Sequence, residues 1–251
     1  MRSRPFASVA VAASIALALA GCAVNEQGDA ESDLSGTLDG AGSSAQGAAQ
    51  DAWIAGFQRA NASVTVNYDP AGSGAGREQF LVGAVGFAGS DAALSEAELD
   101  GELARCAAGA GAVDLPVYLS PIVLAFNVEG VDELALDASV TARIFSGELT
   151  RWNAPEIAAL NPGVALPDAA ITAVHRSDDS GTTWNFTDFL ADAAGDDWPW
   201  PADDAFPVSG EAAQGNSGIA AVIRDGRNVI GYLDGSRASG FDVADLIVAG
   251  E

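Results

Sequence analysis

Apolar positions along this chain fall into short runs whose spacing alternates between that of a helix and that of a strand. Trp53 and Phe57 recur at helical spacing within residues 46–60 and predict a helix there. Residues 63–68 are rich in β-branched side chains and predict a strand. A further helix and a short strand are predicted at residues 77–85 and 87–91.

The same alternation continues through the second half of the chain. The longest apolar run, residues 114–127, contains Pro116 and Pro121, so we expect it to cross between two lobes rather than to lie inside one sheet. Helices are predicted at residues 139–146, 155–160, 184–193 and 219–224, and strands at residues 171–176 and 228–233. Because helices and strands alternate, the pattern predicts an α/β fold.

The first residues carry the pattern of an export signal. Two arginines precede an apolar stretch over residues 6–20, which has the length of a signal-peptide core and is short for a membrane span. It ends in a Leu-Ala-Gly-Cys sequence that resembles a bacterial lipobox, which predicts a signal peptide over residues 1–21 and lipidation of Cys22. Residues 22–35 then form a flexible tether. The protein is expected outside the cytoplasm, lipid-anchored to the outer face of the cytoplasmic membrane, although an ordinary signal peptide with a chance cysteine stays open.

The composition is strongly acidic. The chain has 35 Asp and Glu against 11 basic residues, all of them Arg, and a formal net charge of −24. It therefore lacks the basic surface that nucleic-acid phosphates require, and no nucleic-acid partner is expected. Self-repulsion at this charge favours a soluble monomer.

Cys106 is left without a partner if Cys22 is lipidated. An unpaired cysteine in an exported protein needs an explanation. Either Cys106 is a buried free thiol, or its partner lies outside this sequence.

Three short loops rich in glycine and hydroxyl side chains each stand just before a predicted helix. They contain Ser43 and Ser44, Ser73, and residues 180–182. The first turn of a helix exposes N–H groups and the positive end of the helix dipole, to which Ser and Thr add O–H donors. One such loop is an ordinary helix cap. Three of them, one with Arg176 four residues upstream, predict a site for a small anion.

Other kinds of site fit the sequence less well. A nucleotide-binding Walker loop needs Lys, and the chain has none. A hydrolase needs a base beside its nucleophile, but the single histidine, His175, alternates with Arg176 along a predicted strand and so points to the opposite face. The acidic pairs do not follow a calcium-loop pattern. We therefore expect no enzyme activity, no cofactor and no bound metal.

Residues 176–182 resemble the Arg-x-Asp-x-Ser-Gly-Thr loop of the phosphate-binding lipoproteins of bacterial ABC transporters. Residues 40–44 and 72–76 resemble the two other phosphate loops of that family, and residues 89–92 resemble its Ser-Asp element. The resemblance covers about residues 40–232. Several separate motifs in the same order are more specific than any one loop.

This resemblance implies the periplasmic-binding-protein fold, an α/β fold of two hinged lobes that close on a ligand like a Venus flytrap. Lobe one is expected to begin with residues 36–115, and lobe two to span residues 116–230. Residues 231–251 are expected to return toward lobe one. Because the sequence ends without the family's closing strand and helix, lobe one is expected to lack part of its C-terminal segment.

The resemblance also implies a set of phosphate-binding residues. The set comprises Ser43, Ser44, Ala45, Ser73, Asp91, Arg176, Ser180, Gly181 and Thr182. Ala45 stands where the family commonly has a bulkier residue, so less steric enclosure is expected there. Asp178 is expected to orient Arg176, and Asp91 to accept a hydrogen bond from a protonated phosphate oxygen.

The implied function is high-affinity binding of inorganic phosphate outside the cell and its delivery to the permease subunits of an ABC transporter. Two alternatives stay open on the same fold. One is a receptor for another tetrahedral oxyanion, such as sulfate or molybdate. The other is a surface lipoprotein that senses phosphate without transporting it. Asp91 bears on the first alternative, because sulfate has no proton for a carboxylate to accept.

Overall fold

The computed structural model describes residues 33–101, 103–107 and 110–247. The expected signal peptide, the expected lipidation site Cys22 and most of the expected tether lie outside these residues. Within the described part of the chain, no helix combines the length and the apolar character needed to cross a membrane.

The first lobe, residues 36–107, is built on a three-stranded parallel sheet. Its elements are β1 (Gly36–Gly42), α1 (Gly47–Ala60), β2 (Val64–Asp69), α2 (Ser73–Leu81), β3 (Phe87–Gly89) and α3 (Glu96–Leu99). Strand β1 lies between β2 and β3 and is parallel to both. Parallel neighbours need crossover connections, which α1 and α2 supply. The carboxyl ends of β1 and β3 therefore open at one edge, where Ser43 and Asp91 follow them.

The second lobe, residues 122–247, is built on a five-stranded mixed sheet in the order β7-β6-β8-β4-β9. Its elements are β4 (Ile122–Asn127), β5 (Ala135–Asp137), α4 (Ala138–Phe145), α5 (Pro155–Leu160), β6 (Thr172–Arg176), α6 (Gly181–Ala193), β7 (Glu211–Ala213), α7 (Gly215–Asp225), β8 (Val229–Asp234), β9 (Asp242–Val243) and β10 (Asp245–Ile247). Strand β6 is parallel to β7 and β8, and β4 is antiparallel to β8. Strands β5 and β10 form a separate parallel pair.

The two lobes differ in how completely they bury their apolar side chains. In the second lobe, Phe126, Trp152 and Tyr232 are buried in one continuous core. In the first lobe, α1 forms as predicted, but Trp53 and Phe57 on it are 41% and 44% exposed. The second lobe is therefore the better packed of the two.

Three helices begin earlier than their apolar spacing predicted. Helix α2 begins at Ser73 rather than at Arg77, α6 at Gly181 rather than at Trp184, and α7 at Gly215 rather than at Ile219. In each case the glycine- and hydroxyl-rich loop is itself the first turn of the helix. The N–H groups of a first turn have no partner inside the helix. Small residues there leave these groups accessible to a partner outside the helix.

The apolar run 114–127 forms a strand only in its second part, β4. Residues 114–121 have no regular structure, and Leu119 is 96% exposed. The run passes from the first lobe, where the rings of Tyr118 and Trp53 lie edge to face with centroids 6.2 Å apart, into the second sheet at Ile122. Pro121 supplies no N–H to a sheet, which agrees with its position just before the strand.

Residues 231–251 were expected to return toward lobe one. Residues 231–247 instead pair with strands of the second lobe. Residues 231–234 complete β8, which pairs with β4 along its whole length. The chain then turns through Gly235–Arg237, and β9 pairs with the other edge of β4. Strand β10 pairs with β5 in the second lobe as well. The apolar residues of β8 are all buried, so pairing inside the second core was favoured over an extension of the first sheet.

Cys106 is an exposed free thiol within the described residues. The interpretation of Cys106 as a buried thiol is therefore wrong. The other interpretation, a partner outside this sequence, stays a prediction.

Candidate functional site

The loops that follow β1, β3 and β6 meet where the two lobes face each other. Asp91 of the first lobe contacts Thr182 of the second, and Ser44 contacts Asn216. The expected ligand residues lie in these loops and at the starts of α2 and α6. Asp91 is partly buried. The other expected ligand residues are buried, namely Ser43, Ser44, Ala45, Ser73, Arg176, Ser180, Gly181 and Thr182.

Asp91 connects segments from both lobes. Its Oδ2 accepts a hydrogen bond from Thr182 Oγ1 at 3.2 Å. Its backbone N–H donates to Ser73 Oγ at 3.2 Å, and its carbonyl accepts from Asn185 Nδ2 at 2.9 Å. Burial raises the pKa of Asp91, although hydrogen bonds from the Ser43 and Thr182 side chains oppose that shift. Asp91 is thus a desolvated carboxylate surrounded by donors.

Arg176 and Asp178 form a bidentate ion pair. Arg176 is 3% exposed; its Nε donates to Asp178 Oδ1 at 2.8 Å and its Nη2 to Oδ2. The backbone N–H of Gly215 also donates to Oδ1, at 2.9 Å. Burial opposes the charged form of Asp178, but the bonds to Arg176 and Gly215 outweigh it, so the pKa of Asp178 lies below its ordinary value. The third guanidinium nitrogen, Nη1, lies 3.5 Å from Thr182 Oγ1, toward the cleft.

The first loop, residues 43–45, is fixed by hydrogen bonds of its own. The backbone N–H of Ser43 donates to Gly89 O at 2.8 Å, and that of Ala45 donates to Ser43 Oγ at 3.1 Å. Ser44 Oγ accepts two hydrogen bonds from Asn216. A ligand held by the N–H of Ala45 would therefore have to share it with Ser43.

The start of α6 is held in place by its own capping residue, Ser180, and by the hydroxyl of the buried residue Tyr232. Ser180 Oγ accepts from the backbone N–H of Thr183 at 3.2 Å and caps the helix. The Thr183 and Tyr232 hydroxyl oxygens are 2.7 Å apart, and Tyr232 Oη also accepts from the backbone N–H of Arg176 at 3.2 Å. Burial raises the pKa of Tyr232 to about 12, so its hydroxyl stays protonated. The positive end of the α6 dipole is thereby held at the cleft.

Two glycines let the lobes approach closely. A Cβ atom on Gly74 would lie 2.6 Å from Asp179 Cβ, and one on Gly181 would lie 2.6 Å from Ser73 Oγ and 2.7 Å from Asp91 Cβ. The N–H of Gly74 also donates to Asp179 O at 3.1 Å. Each of these contacts crosses from one lobe to the other, so the structure is a closed form that side chains at these two positions would obstruct.

An ion-pair cluster lies at the rim of the cleft. Arg77 of α2 donates from Nε to Glu98 at 3.0 Å within the first lobe and from Nη2 to Asp204 of the second lobe. Its Nη1 donates to Ser90 Oγ at 3.2 Å. Glu98 also belongs to the capping box of α3 with Ser95. Arg77 is therefore oriented by its own lobe and can meet Asp204 when the lobes close.

His175 packs away from the cleft, as its position in the strand predicted. Its ring stacks on Phe206 with centroids 4.5 Å apart, and its Nδ1 lies 2.9 Å from Arg176 O. The histidine therefore packs among aromatic side chains of the second lobe, while the side chain of Arg176 points toward Thr182.

Four residues of the cleft were missed by sequence reasoning: Asn185, Asn216, Arg77 and Asp204. Residues 215–218 carry the same small-residue sequence before a helix as the other loops, and that signal could have identified Asn216. Asn185 and Asp204 carry no comparable signal, because their partners Asp91 and Arg77 are far away along the chain.

The cleft combines Arg176, several hydroxyl groups and two helix starts with the desolvated carboxylate of Asp91. Donors of this kind suit a small oxyanion. The Asp91 carboxylate among these donors suits an oxyanion that still carries a proton, because an ionised carboxylate only accepts hydrogen bonds.

Comparison with known proteins agrees with this chemistry. Residues 27–250 match the model of the PBP superfamily domain. The chain is 36% identical over 261 residues to phosphate-binding protein PstS 2 of Mycobacterium tuberculosis, covering 99% of this chain and 70% of that protein. It is 41% identical over 204 residues to phosphate-binding protein PstS 3 of Mycobacterium leprae, covering 81% of this chain and 55% of that protein. The chain thus spans 55% of the length of one of these relatives and 70% of the other.

Solved structures share the two-lobed fold. A phosphate-binding protein from Stenotrophomonas maltophilia superposes with a TM-score of 0.67 at 22% identity, covering 84% of this chain and 65% of that one. An ABC-type phosphate transport receptor from Vibrio cholerae superposes with a TM-score of 0.54 at 16% identity, covering 84% and 76%. The expected two-lobed α/β fold is confirmed. The chain belongs to the PBP superfamily and, within it, to the family of phosphate-binding proteins named PstS.

Proposed function

We propose that this protein binds inorganic phosphate outside the cytoplasm and delivers it to the permease of an ABC transporter. The observation that carries the proposal is the placement of one desolvated carboxylate, Asp91, among donors from both lobes. The names of its relatives support the same ligand.

The donors of the cleft suit a desolvated oxyanion. Arg176 supplies a charge-assisted donor whose geometry is fixed by Asp178. The first turns of α2 and α6 supply N–H groups and the positive ends of helix dipoles. The hydroxyls of Ser43, Ser44, Ser73, Ser180 and Thr182, with the N–H groups of Ala45 and Gly181, complete the proposed set of phosphate ligands.

Asp91 provides the proposed selectivity. A phosphate oxygen that carries a proton donates a hydrogen bond to this carboxylate. Sulfate has no such proton and would place two negative charges against each other in a closed site. Leaving a buried polar group unpaired costs about 1–3 kcal/mol, and more when it is charged. Sites built on such pairing can discriminate by about 10⁴-fold or more.

The acidic surface does not prevent anion binding. The formal net charge is −24, which repels phosphate at long range. Physiological salt screens that repulsion over about 8 Å. Inside a closed cleft, the fixed dipoles and Arg176 act at much shorter distances and dominate.

The proposed setting follows from the first residues of the chain together with the family. Cys22 carries a lipid anchor, and the mature protein works as a monomer at the outer face of the cytoplasmic membrane, next to the permease subunits. The protein acts as a receptor without catalysing a reaction. The packing of His175 against Phe206 supports this, because the imidazole then does not stand beside the cleft hydroxyls.

Isothermal titration of the purified protein with phosphate, sulfate and molybdate tests the proposal. We expect tight phosphate binding and at least a thousand-fold weaker sulfate binding. Equal affinity for sulfate or molybdate would contradict phosphate specificity and would indicate a receptor for tetrahedral oxyanions in general. Deletion of the gene separates transport from sensing, since a transport receptor is required for phosphate uptake and a sensor is not.

A further inference from the structure

Asn216, the second residue of α7, is completely buried and contacts both lobes. Its backbone N–H donates to Ser44 Oγ at 3.1 Å, and its side-chain Nδ2 donates to the same oxygen at 3.0 Å. Nδ2 also lies 3.5 Å from Thr182 Oγ1. Asn216 is therefore in contact with two of the proposed phosphate ligands, one from each lobe.

The orientation of the Asn216 amide follows from a third contact. The backbone N–H of Asp234 donates to Oδ1 at 2.8 Å. An N–H can only donate, so this side of the amide must be the oxygen, and the NH₂ group must face Ser44 and Thr182. Strand β8, which ends at Asp234, thus sets the direction in which Asn216 donates.

This arrangement determines what the Ser44 hydroxyl can do. A hydroxyl oxygen has two lone pairs and one hydrogen. The two hydrogen bonds from Asn216 occupy both lone pairs of Ser44 Oγ. Ser44 is left with its hydrogen alone, which makes it a donor toward the cleft.

We propose that Asn216 is a positioning residue that converts Ser44 into an obligatory donor when the lobes close. This inference rests on the proposed function, because the group that Ser44 then serves is the bound phosphate. Ser44 lies in the first lobe and Asn216 in the second, so the pair forms only in the closed protein. Ligand binding and closure therefore stabilise each other through this contact.

The start of α7 joins the two halves of the site in a second way. The residue before Asn216, Gly215, donates its backbone N–H to Asp178 Oδ1 at 2.9 Å. Asp178 in turn holds Arg176. One helix start therefore aligns the charged donor of the second lobe and the hydroxyl donor of the first.

A double-mutant cycle on phosphate affinity tests the proposal. Asn216→Ala and Ser44→Ala are each expected to raise the Kd about tenfold, the effect of one hydrogen bond to a charged group. If Asn216 acts through Ser44, the double variant should bind at most about twofold more weakly than Ser44→Ala. Phosphate dissociation from Asn216→Ala, measured by stopped flow, should be faster than from the wild type, because the closed form is less stable.

Asn127, the last residue of β4, offers a matched control because its side chain contacts the C-terminal end of α7. Its Nδ2 donates to the carbonyls of Ile223 and Gly226 at 3.0 and 2.8 Å. Asn127→Ala should lower the thermal unfolding midpoint and leave phosphate affinity unchanged. If Asn216→Ala does not fold, Asn216→Asp keeps the shape and the acceptor for Asp234. The effect of its added charge is measured by making the same change in the Ser44→Ala background. There Asn216→Asp should lower phosphate affinity less than it does in the wild type.

The outcomes separate this inference from the function it rests on. Failure of the wild type to bind phosphate would refute the proposed function and the inference with it. Normal wild-type binding with fully additive losses in the cycle would refute the role of Asn216 alone. Equal effects of Asn127→Ala and Asn216→Ala on affinity would reduce Asn216 to a structural residue.

Discussion

The hydroxyl of Thr182 donates to the carboxylate of Asp91 across the cleft, with 3.2 Å between Oγ1 and Oδ2. Thr182 is the second residue of α6 in the second lobe, and Asp91 follows β3 in the first. Neither lobe contains the complete donor set. The proposed anion site is therefore a property of the closed protein, and substitutions can be sorted by whether they affect the ligand, the closure or the fold.

Asp91→Asn should change selectivity as well as affinity. The amide keeps the shape but removes the acceptor charge, so phosphate binding should weaken about tenfold or more while sulfate binding tightens. Calorimetry with both anions measures the two changes. Asp168→Asn, an exposed carboxylate that pairs with Arg151, changes the net charge equally and should alter neither affinity. Unchanged sulfate exclusion in Asp91→Asn would contradict the role of the carboxylate.

The same substitution should stabilise the ligand-free protein. Burial raises the pKa of Asp91, so the folded state holds a proton more readily than the unfolded chain. The resulting destabilisation is fully present above the raised pKa and disappears as the pH falls to the ordinary Asp value. Urea unfolding should therefore show Asp91→Asn to be more stable than the wild type at neutral pH, with the difference shrinking in acid. A difference that grows toward low pH would contradict this.

Arg176→Ala should cost about 2 kcal/mol or more of phosphate binding, roughly a thirty-fold rise in Kd. It also leaves Asp178 without its bidentate partner, so stability should fall as well. Arg176→Lys keeps the charge but cannot form the fork, and should lie between the wild type and Arg176→Ala. Titration calorimetry and urea unfolding together separate the two losses. Wild-type affinity in Arg176→Lys would show that the pairing geometry is unimportant.

Gly74→Ala should hinder closure without unfolding either lobe. The added Cβ would lie 2.6 Å from Asp179 Cβ of the opposite lobe, so phosphate affinity should fall about tenfold. Small-angle scattering should show a less compact phosphate-bound state. Gly56→Ala is the matched control, because its Cβ in α1 meets nothing within 4 Å. It should raise stability by ~0.5–1 kcal/mol and leave affinity unchanged.

Arg77→Gln should weaken closure at the rim. It removes the pair with Asp204 across the cleft and leaves Asp204 and Glu98 without the cation that both contact. We expect phosphate affinity to fall about fivefold, the equivalent of ~1 kcal/mol, and to become less sensitive to salt. Arg151→Gln breaks an exposed pair inside the second lobe and should have no such effect. Equal salt dependence in the wild type and in Arg77→Gln would contradict a role in closure.

Much of the fold was predictable because its signals are local. Helix α5 was predicted with the bounds that the structure has, and β2, β6 and β8 to within one residue at each end. The starts of α2, α6 and α7 were placed three or four residues too late. Glycine is a loop signal in a sequence pattern, whereas in the first turn of a helix it leaves N–H groups open to a partner.

The path of the chain after Tyr232 was not predictable in the same way. Both sheets have an edge that residues 231–247 could join, and their apolar pattern does not distinguish the two. The antiparallel pairing of β8 with β4 decided it, because it buries every residue of β8. The exposure of Trp53 and Phe57 could likewise not be predicted from their spacing, because spacing indicates which residues share a helix face but not what covers that face.

The sequence by itself determined the α/β alternation and the three glycine- and hydroxyl-rich loops, and its family resemblance implied the pairing of Arg176 with Asp178, which the structure contains. Tertiary structure alone decided that Asn216 reaches Ser44 over 172 positions and that Arg77 reaches Asp204 over 127. The physical reason is range. Helix caps, turns and periodic apolar faces depend on neighbours along the chain, whereas a cleft between two lobes is made of contacts that exist only after both lobes have folded and closed.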